Sequence, residues 1–228
     1  MNETEKMKGI SNSTAQLNFT HRIYIVESPS SSDFLEDKQE GQTLMSALKL
    51  ANIEVAHYTV VNRSTLDICL NNIFVEHKVD GGDSFVIPVI HFSMHGNANG
   101  IALTSEQTLV TWNELGSCIV KHNKTAIGFL WISMSTCQGF NGCKMAFDLL
   151  KCPFFMLIGP KIDIAWTDSL TGFLTFYHHI NNKRSGIPDS LAAMNHAAGL
   201  PADTFSAVIG KEIQQEYRNY IVSILRKK

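Results

Sequence analysis

The chain has 228 residues, 44% apolar and 18% charged, with a formal net charge of −2. That length supports one large core, or one core with a small appendage. The near-neutral charge argues against direct nucleic-acid binding and against a polybasic membrane patch. No apolar run reaches the roughly 18 residues of a membrane span, and the polar N-terminus lacks the apolar centre of a signal peptide. The five cysteines are odd in number and lack small-scaffold spacing, which fits reduced thiols in a cytoplasmic protein.

Residues 1–20, rich in Ser, Asn, Thr and Glu, are expected to form a flexible arm ahead of one domain over residues 21–228. Arg22–Val26 reads as a strand ended by the Ser/Pro-rich loop Glu27–Asp33. Leu44, Ala47, Leu48 and Ala51 recur at helical spacing, so residues 40–51 read as an amphipathic helix. A strand follows over residues 54–61. Leu66, Cys69, Leu70 and Ile73 then mark a second helix, with Ser64 and Asp67 as its expected capping box. Residues 78–84 read as a turn or loop, and Gly81-Gly82 lacks the Lys and Thr of a phosphate loop.

Phe85–Met94 is the third strand; Pro88 cannot donate to a ladder, so pairing is expected to begin near Val89. Residues 100–111 suggest a short β-excursion. A helix follows with Thr111 and Glu114 as capping box and Leu115, Cys118, Ile119 and His122 on its apolar face. Thr125–Ser135 reads as a buried strand, residues 143–151 as a short helix, and Pro153–Ile158 as a strand stopped by Gly159-Pro160. Leu170, Phe173, Leu174, Tyr177 and His178 share one helical face, and another helix covers residues 188–198. Phe205, Val208, Ile209, Ile213, Tyr217, Tyr220 and Ile224 suggest one long closing helix. Strands alternating with helices predict a three-layer α/β/α sandwich around a mostly parallel five- or six-stranded sheet.

Two strand ends carry the chemistry. One apolar run ends in His95-Gly96, the other in Ser135-Thr136-Cys137-Gln138-Gly139. In open α/β sheets, ligands gather at the carboxyl ends of the strands. If the two strands are parallel neighbours, a thiol and a base meet in one crevice, as a cysteine nucleophile requires. The amides of Gly96 and Cys137 could then donate to an oxyanion. Other readings compete: a cysteine after an apolar strand is more often a small buried hydrophobe, and His91 reads as a core histidine. Zinc on His91, His95, Cys137 and Cys143 is disfavoured, because Cys-x5-Cys is wide and one strand does not wrap two imidazoles round an ion. The deaminase pattern fails as well, and no cofactor is expected. Cys69 and Cys118 read as core, Cys143 and Cys152 as structural.

The order His95-Gly96, then Ser135-Thr136-Cys137-Gln138-Gly139, then the segment Ile162–Asp168 resembles the caspase-like cysteine peptidases, in particular their CHAT-type branch. The resemblance covers roughly residues 22–198. It implies a caspase-like fold and peptide-bond hydrolysis by a Cys137–His95 dyad with no carboxylate third member named. It further implies limited proteolysis of a partner protein in a bacterial regulatory or defence pathway, with an activating protein partner. Substrate-binding candidates on the same ground are Ser135, Asp163 and Asp168, the aspartates favouring Arg or Lys at P1. The alternatives are an idle caspase-like scaffold and a flavodoxin-like or receiver-like binding domain, which would want acidic residues after the first strand.

Overall fold

Period-two alternation along β1 (Asn18–Ser28) and β3 (Ser84–Met94) sends Tyr24, Val26, Ile90, Phe92 and Met94 to one face and Ile23, Ile25 and Val89 to the other. All eight are buried. A strand apolar on both faces belongs inside a covered, parallel sheet. The computed structural model, which describes residues 18–77, 84–123, 129–148 and 150–226, shows that sheet. β2 (Val55–Thr59), β7 (Trp131–Ser135), β8 (Met156–Pro160) and β9 (Phe205–Ile209) complete six strands in the order β2-β1-β3-β7-β8-β9. Every pairing is parallel except β8 with β9. β4 (Gly96–Asn97), β5 (Gly100–Ile101) and β6 (Val110–Thr111) form a small separate antiparallel sheet, the expected excursion.

Helices cover both faces. The short α1 (Ser31–Leu35) follows β1. On one face, α2 (Glu40–Leu50), α5 (Trp166–His178) and α6 (Ile187–Ala197) bury Leu44, Leu48, Phe173, Phe176, Tyr177 and Met194. On the other, α3 (Arg63–Glu76), α4 (Trp112–His122) and a 3-10 helix (Gly139–Phe147) bury Leu66, Leu70, Ile73, Leu115, Ile119 and Met145, and α7 (Gly210–Leu225) adds Ile213. This is the three-layer α/β/α sandwich expected. Among the described residues, no helix is long and apolar enough to cross a membrane.

Several local expectations are corrected. The α3 capping box is made by Asn62 and Thr65, not Ser64 and Asp67, because the chain turns helical one residue before Ser64. β3 pairs with β1 from Ser84 onward, and only its β7 ladder begins at Val89, immediately after Pro88. The expected loop over Glu27–Asp33 is part strand, part helix: β1 runs to Ser28, and Ser30 with Asp33 caps α1. The helix placed at 143–151 is a 3-10 helix that starts at Gly139, where an added Cβ would lie 2.6 Å from Met134 Cβ. Gly159 and Pro160 continue β8 because β9 pairs with both.

The long closing helix is divided. Phe205, Ala207 and Ile209 pack on the α5 side and Val208 on the opposite side, a two-residue period that makes β9. The helix begins only at Gly210. The arm expected over residues 1–20 lies outside the described residues up to residue 17, as do residues 78–83 of the expected loop and residues 125–128 of the expected strand.

Phe92→Ala tests the core. The side chain is fully buried in a central strand, so its loss should cost ~3–5 kcal/mol. Urea denaturation should read this as a lower midpoint with an unchanged slope.

Candidate functional site

β3 and β7 are parallel neighbours, paired His91 with Ser133 and Ser93 with Ser135. β3 ends at Met94 and β7 at Ser135, so His95 and Cys137 follow in the loops just beyond the two neighbouring strand ends. The two loops touch: a Cβ on Gly96 would lie 2.4 Å from Thr136 Oγ1 and 2.7 Å from the Gly100 carbonyl. Only glycine lets them approach that far. His95 and Cys137 both line one cavity of about 400 Å3, with Met94, Thr136, Ile164, Ala165, Trp166, Thr167 and Lys38.

The cysteine loop is held by its own backbone. Gln138 takes a left-handed conformation (φ 54°), and its N–H donates to the Ile162 carbonyl at 2.9 Å. The Gly139 N–H donates to the Thr136 carbonyl at 3.0 Å, turning the chain straight into the 3-10 helix. Cys137 is half-buried, and the Ile164 N–H points at its Sγ from 3.5 Å. The loop after β8 thus forms the second wall of the crevice.

His95 is oriented from the other side. Its Nε2 lies 2.7 Å from Asp33 Oδ2, and Trp166 packs edge-on against the ring with centroids 5.2 Å apart. Asp33 sits in α1, just after β1, the strand beside β3. The same oxygen accepts from the Ser30 N–H at 2.8 Å and the Ser30 hydroxyl at 2.6 Å. Burial alone would raise the Asp33 carboxyl, but the bonds from Ser30 and His95 outweigh it and hold it below the ordinary carboxylate value. An ionised carboxylate only accepts, so Nε2 donates to Asp33.

Sequence reasoning named no third member, and Asp33 fell within an expected loop. The legible signal was the Ser-x-x-Asp pattern of a capping box directly after the first strand.

The remaining candidates fall as follows. Gly96 pairs with Ile101 in the β4–β5 hairpin. The adjacent His95 carbonyl accepts from the Ala102 N–H at 2.8 Å, so alternation turns the Gly96 N–H away from β5. Ser135 is fully buried, and its hydroxyl meets that of Ser169 at 2.5 Å, tying β7 to α5. Asp163 is exposed and accepts from the Gln138 amide at 3.0 Å. Asp168 lies in the first turn of α5, and Thr167 Oγ1 is 3.5 Å from its carboxylate. These last three do not line the cavity shared by His95 and Cys137.

His91 is a core histidine, as read. It is fully buried against Phe173, with Nδ1 2.9 Å from the Tyr177 hydroxyl. Burial keeps that phenol protonated. Ser93 donates to Glu40 behind it. All five cysteines are free thiols; burial pushes Cys69 up to about 12 and Cys118 up to about 11, and raises Cys143 and Cys152.

No family model matches the sequence, and no curated protein does. Thirty-nine solved chains match by fold. One is the Arg-specific cysteine proteinase gingipain R, at TM-score 0.49 and 10% identity, covering 82% of this chain and 45% of that one. Another is a complex of the Porphyromonas gingivalis RgpB pro- and mature domains, at TM-score 0.49 and 11% identity, covering 82% and 46%. This chain therefore spans less than half the length of these chains.

The Asp33 geometry predicts an acid-dependent contribution to stability. Its folded value is depressed, so the contribution is full above the ordinary carboxylate value of about 3.9 and is lost as pH falls through the folded value. Denaturation of wild type and Asp33→Asn across that window should show a gap near neutral pH that closes in acid.

Proposed function

We propose that the chain is a caspase-like cysteine endopeptidase in which Cys137 is the nucleophile and His95 the general base. The observation that carries this reading is the β3–β7 register, which brings the two loops into contact with both side chains on one cavity. His95 Nδ1 takes the thiol proton as Sγ attacks the scissile carbonyl. The same nitrogen returns the proton to the leaving amine, and a water activated by the ring then releases the acyl group. Asp33 fixes the tautomer and supports the imidazolium. The Gly96 and Cys137 amides receive the oxyanion.

The sequence resemblance to the CHAT-type branch favours limited cleavage of a chosen partner protein, in a bacterial regulatory or defence pathway, over bulk digestion. An activating protein partner belongs to the same reading.

A peptide-library cleavage profile run on wild type, Cys137→Ala, His95→Ala and Asp33→Asn tests the proposal. Cys137→Ala should abolish cleavage, and His95→Ala should lower turnover by about 10²–10⁴-fold. Asp33→Asn should lower kcat more than it changes KM. In parallel, a thiol-directed alkylating probe should modify Cys137 far faster than Cys69 or Cys118, and His95→Ala should slow it. Equal cleavage by wild type and Cys137→Ala would overturn Cys137 as the nucleophile.

A further inference from the structure

Away from the crevice, α3 and α4 face each other through an unused group of three different donors. Asp67, which does not cap its own helix, presents Oδ1 2.8 Å from His122 Nε2 and 3.4 Å from Cys118 Sγ. The three donor atoms all lie within 4.8 Å of one another. We propose that Asp67, Cys118 and His122 form a binding site for a zinc-type divalent cation, with water in the fourth position.

The three donors are gathered compactly enough for such an ion. A tetrahedral centre with bonds of about 2.0–2.3 Å sets its ligands roughly 3.3–3.8 Å apart. The observed separations reach that range with small side-chain movements. Cys118 and His122 are four residues apart, so they project from the same face of one helix. That helix is fixed at its start by the Thr111–Glu114 capping box. The His122 side chain is only 10% exposed while Asp67 is 39% exposed, which leaves an entry path over a held imidazole. One thiolate, one imidazole and one carboxylate select zinc over magnesium or calcium, which want oxygen alone.

The carboxylate already gathers positive charge. Lys121 Nζ lies 2.9 Å from both Asp67 oxygens, on a side chain that is 61% exposed. An exposed pair of this kind contributes little, so the ammonium can swing into solvent as the dication arrives. On binding, bonds form from the metal to Sγ, Nε2 and a carboxylate oxygen, and the Cys118 S–H bond breaks with its proton released to solvent. Nothing is oxidised or reduced. The ion would clip α3 to α4 on the face opposite α2 and α5, independently of any peptidase activity.

The test is cobalt titration of the full, reduced chain, followed by zinc. Wild type should bind one equivalent of Co2+ with a thiolate-to-cobalt charge-transfer absorption, which Zn2+ then displaces, and Zn2+ should raise the Tm. Cys118→Ser should remove the absorption, and His122→Ala should weaken binding at least tenfold. Lys121→Gln, a surface change that leaves the fold untouched, should tighten binding several-fold. The site is overturned if wild type shows no saturable one-to-one binding. It is equally overturned if the absorption survives Cys118→Ser, or if Lys121→Gln leaves affinity unchanged or weaker.

Discussion

The approach of Gly96 to Thr136 is the contact on which the rest of the crevice depends. Side chains of ordinary size would hold the loops after β3 and β7 apart, because even one methyl group at position 96 would overlap Thr136 Oγ1 and the Gly100 carbonyl. With that methyl absent, the loops that follow the Ser93–Ser135 pair stay close enough for His95 and Cys137 to line one cavity. The shape of the crevice is therefore set by backbone proximity, and the side chains around it refine the arrangement. Four loops contribute, from the carboxyl ends of β1, β3, β7 and β8, as expected of an open parallel sheet.

Behind the crevice the sheet carries polar groups where an ordinary core would be apolar. Glu27 accepts from the Gly41 N–H and pairs with His57, while Glu40 receives Ser93 and lies 3.8 Å from His91 Nε2. Glu27, Glu40, Ser93 and His91 are buried, so each must find a partner or cost stability. The partners come from α2, from β2 and from α5. The loops are thus mounted on a layer fixed by directional bonds as well as by packing, which suits a site whose groups must hold their positions.

The parallel sheet and its strand ends were legible because long apolar runs broke sharply into small polar loops. His95, Gly96 and Cys137 stood at those breaks; His95 and Cys137 line one cavity, and Gly96 packs against Thr136. Asp33 was obscured because a run of serines looks like a loop, and a five-residue helix leaves no periodic trace. β9 was hidden because Phe205, Val208 and Ile209 satisfy a helical spacing, and it is the packing of Val208 on the face opposite Phe205, Ala207 and Ile209 that makes the segment a strand. Asp67 was assigned to a cap because its distance in sequence from Ser64 was right. Its actual partners lie more than fifty residues away, and no local pattern announces them.

Asp33 Oδ2 receives the Ser30 amide, the Ser30 hydroxyl and the His95 ring at once. One atom therefore anchors a single turn of helix and steadies the imidazole. Unwinding those few residues would leave the sulfur in place yet free the ring to rotate. An event confined to the segment after β1 could reorient this imidazole with no change to His95 or Cys137 themselves.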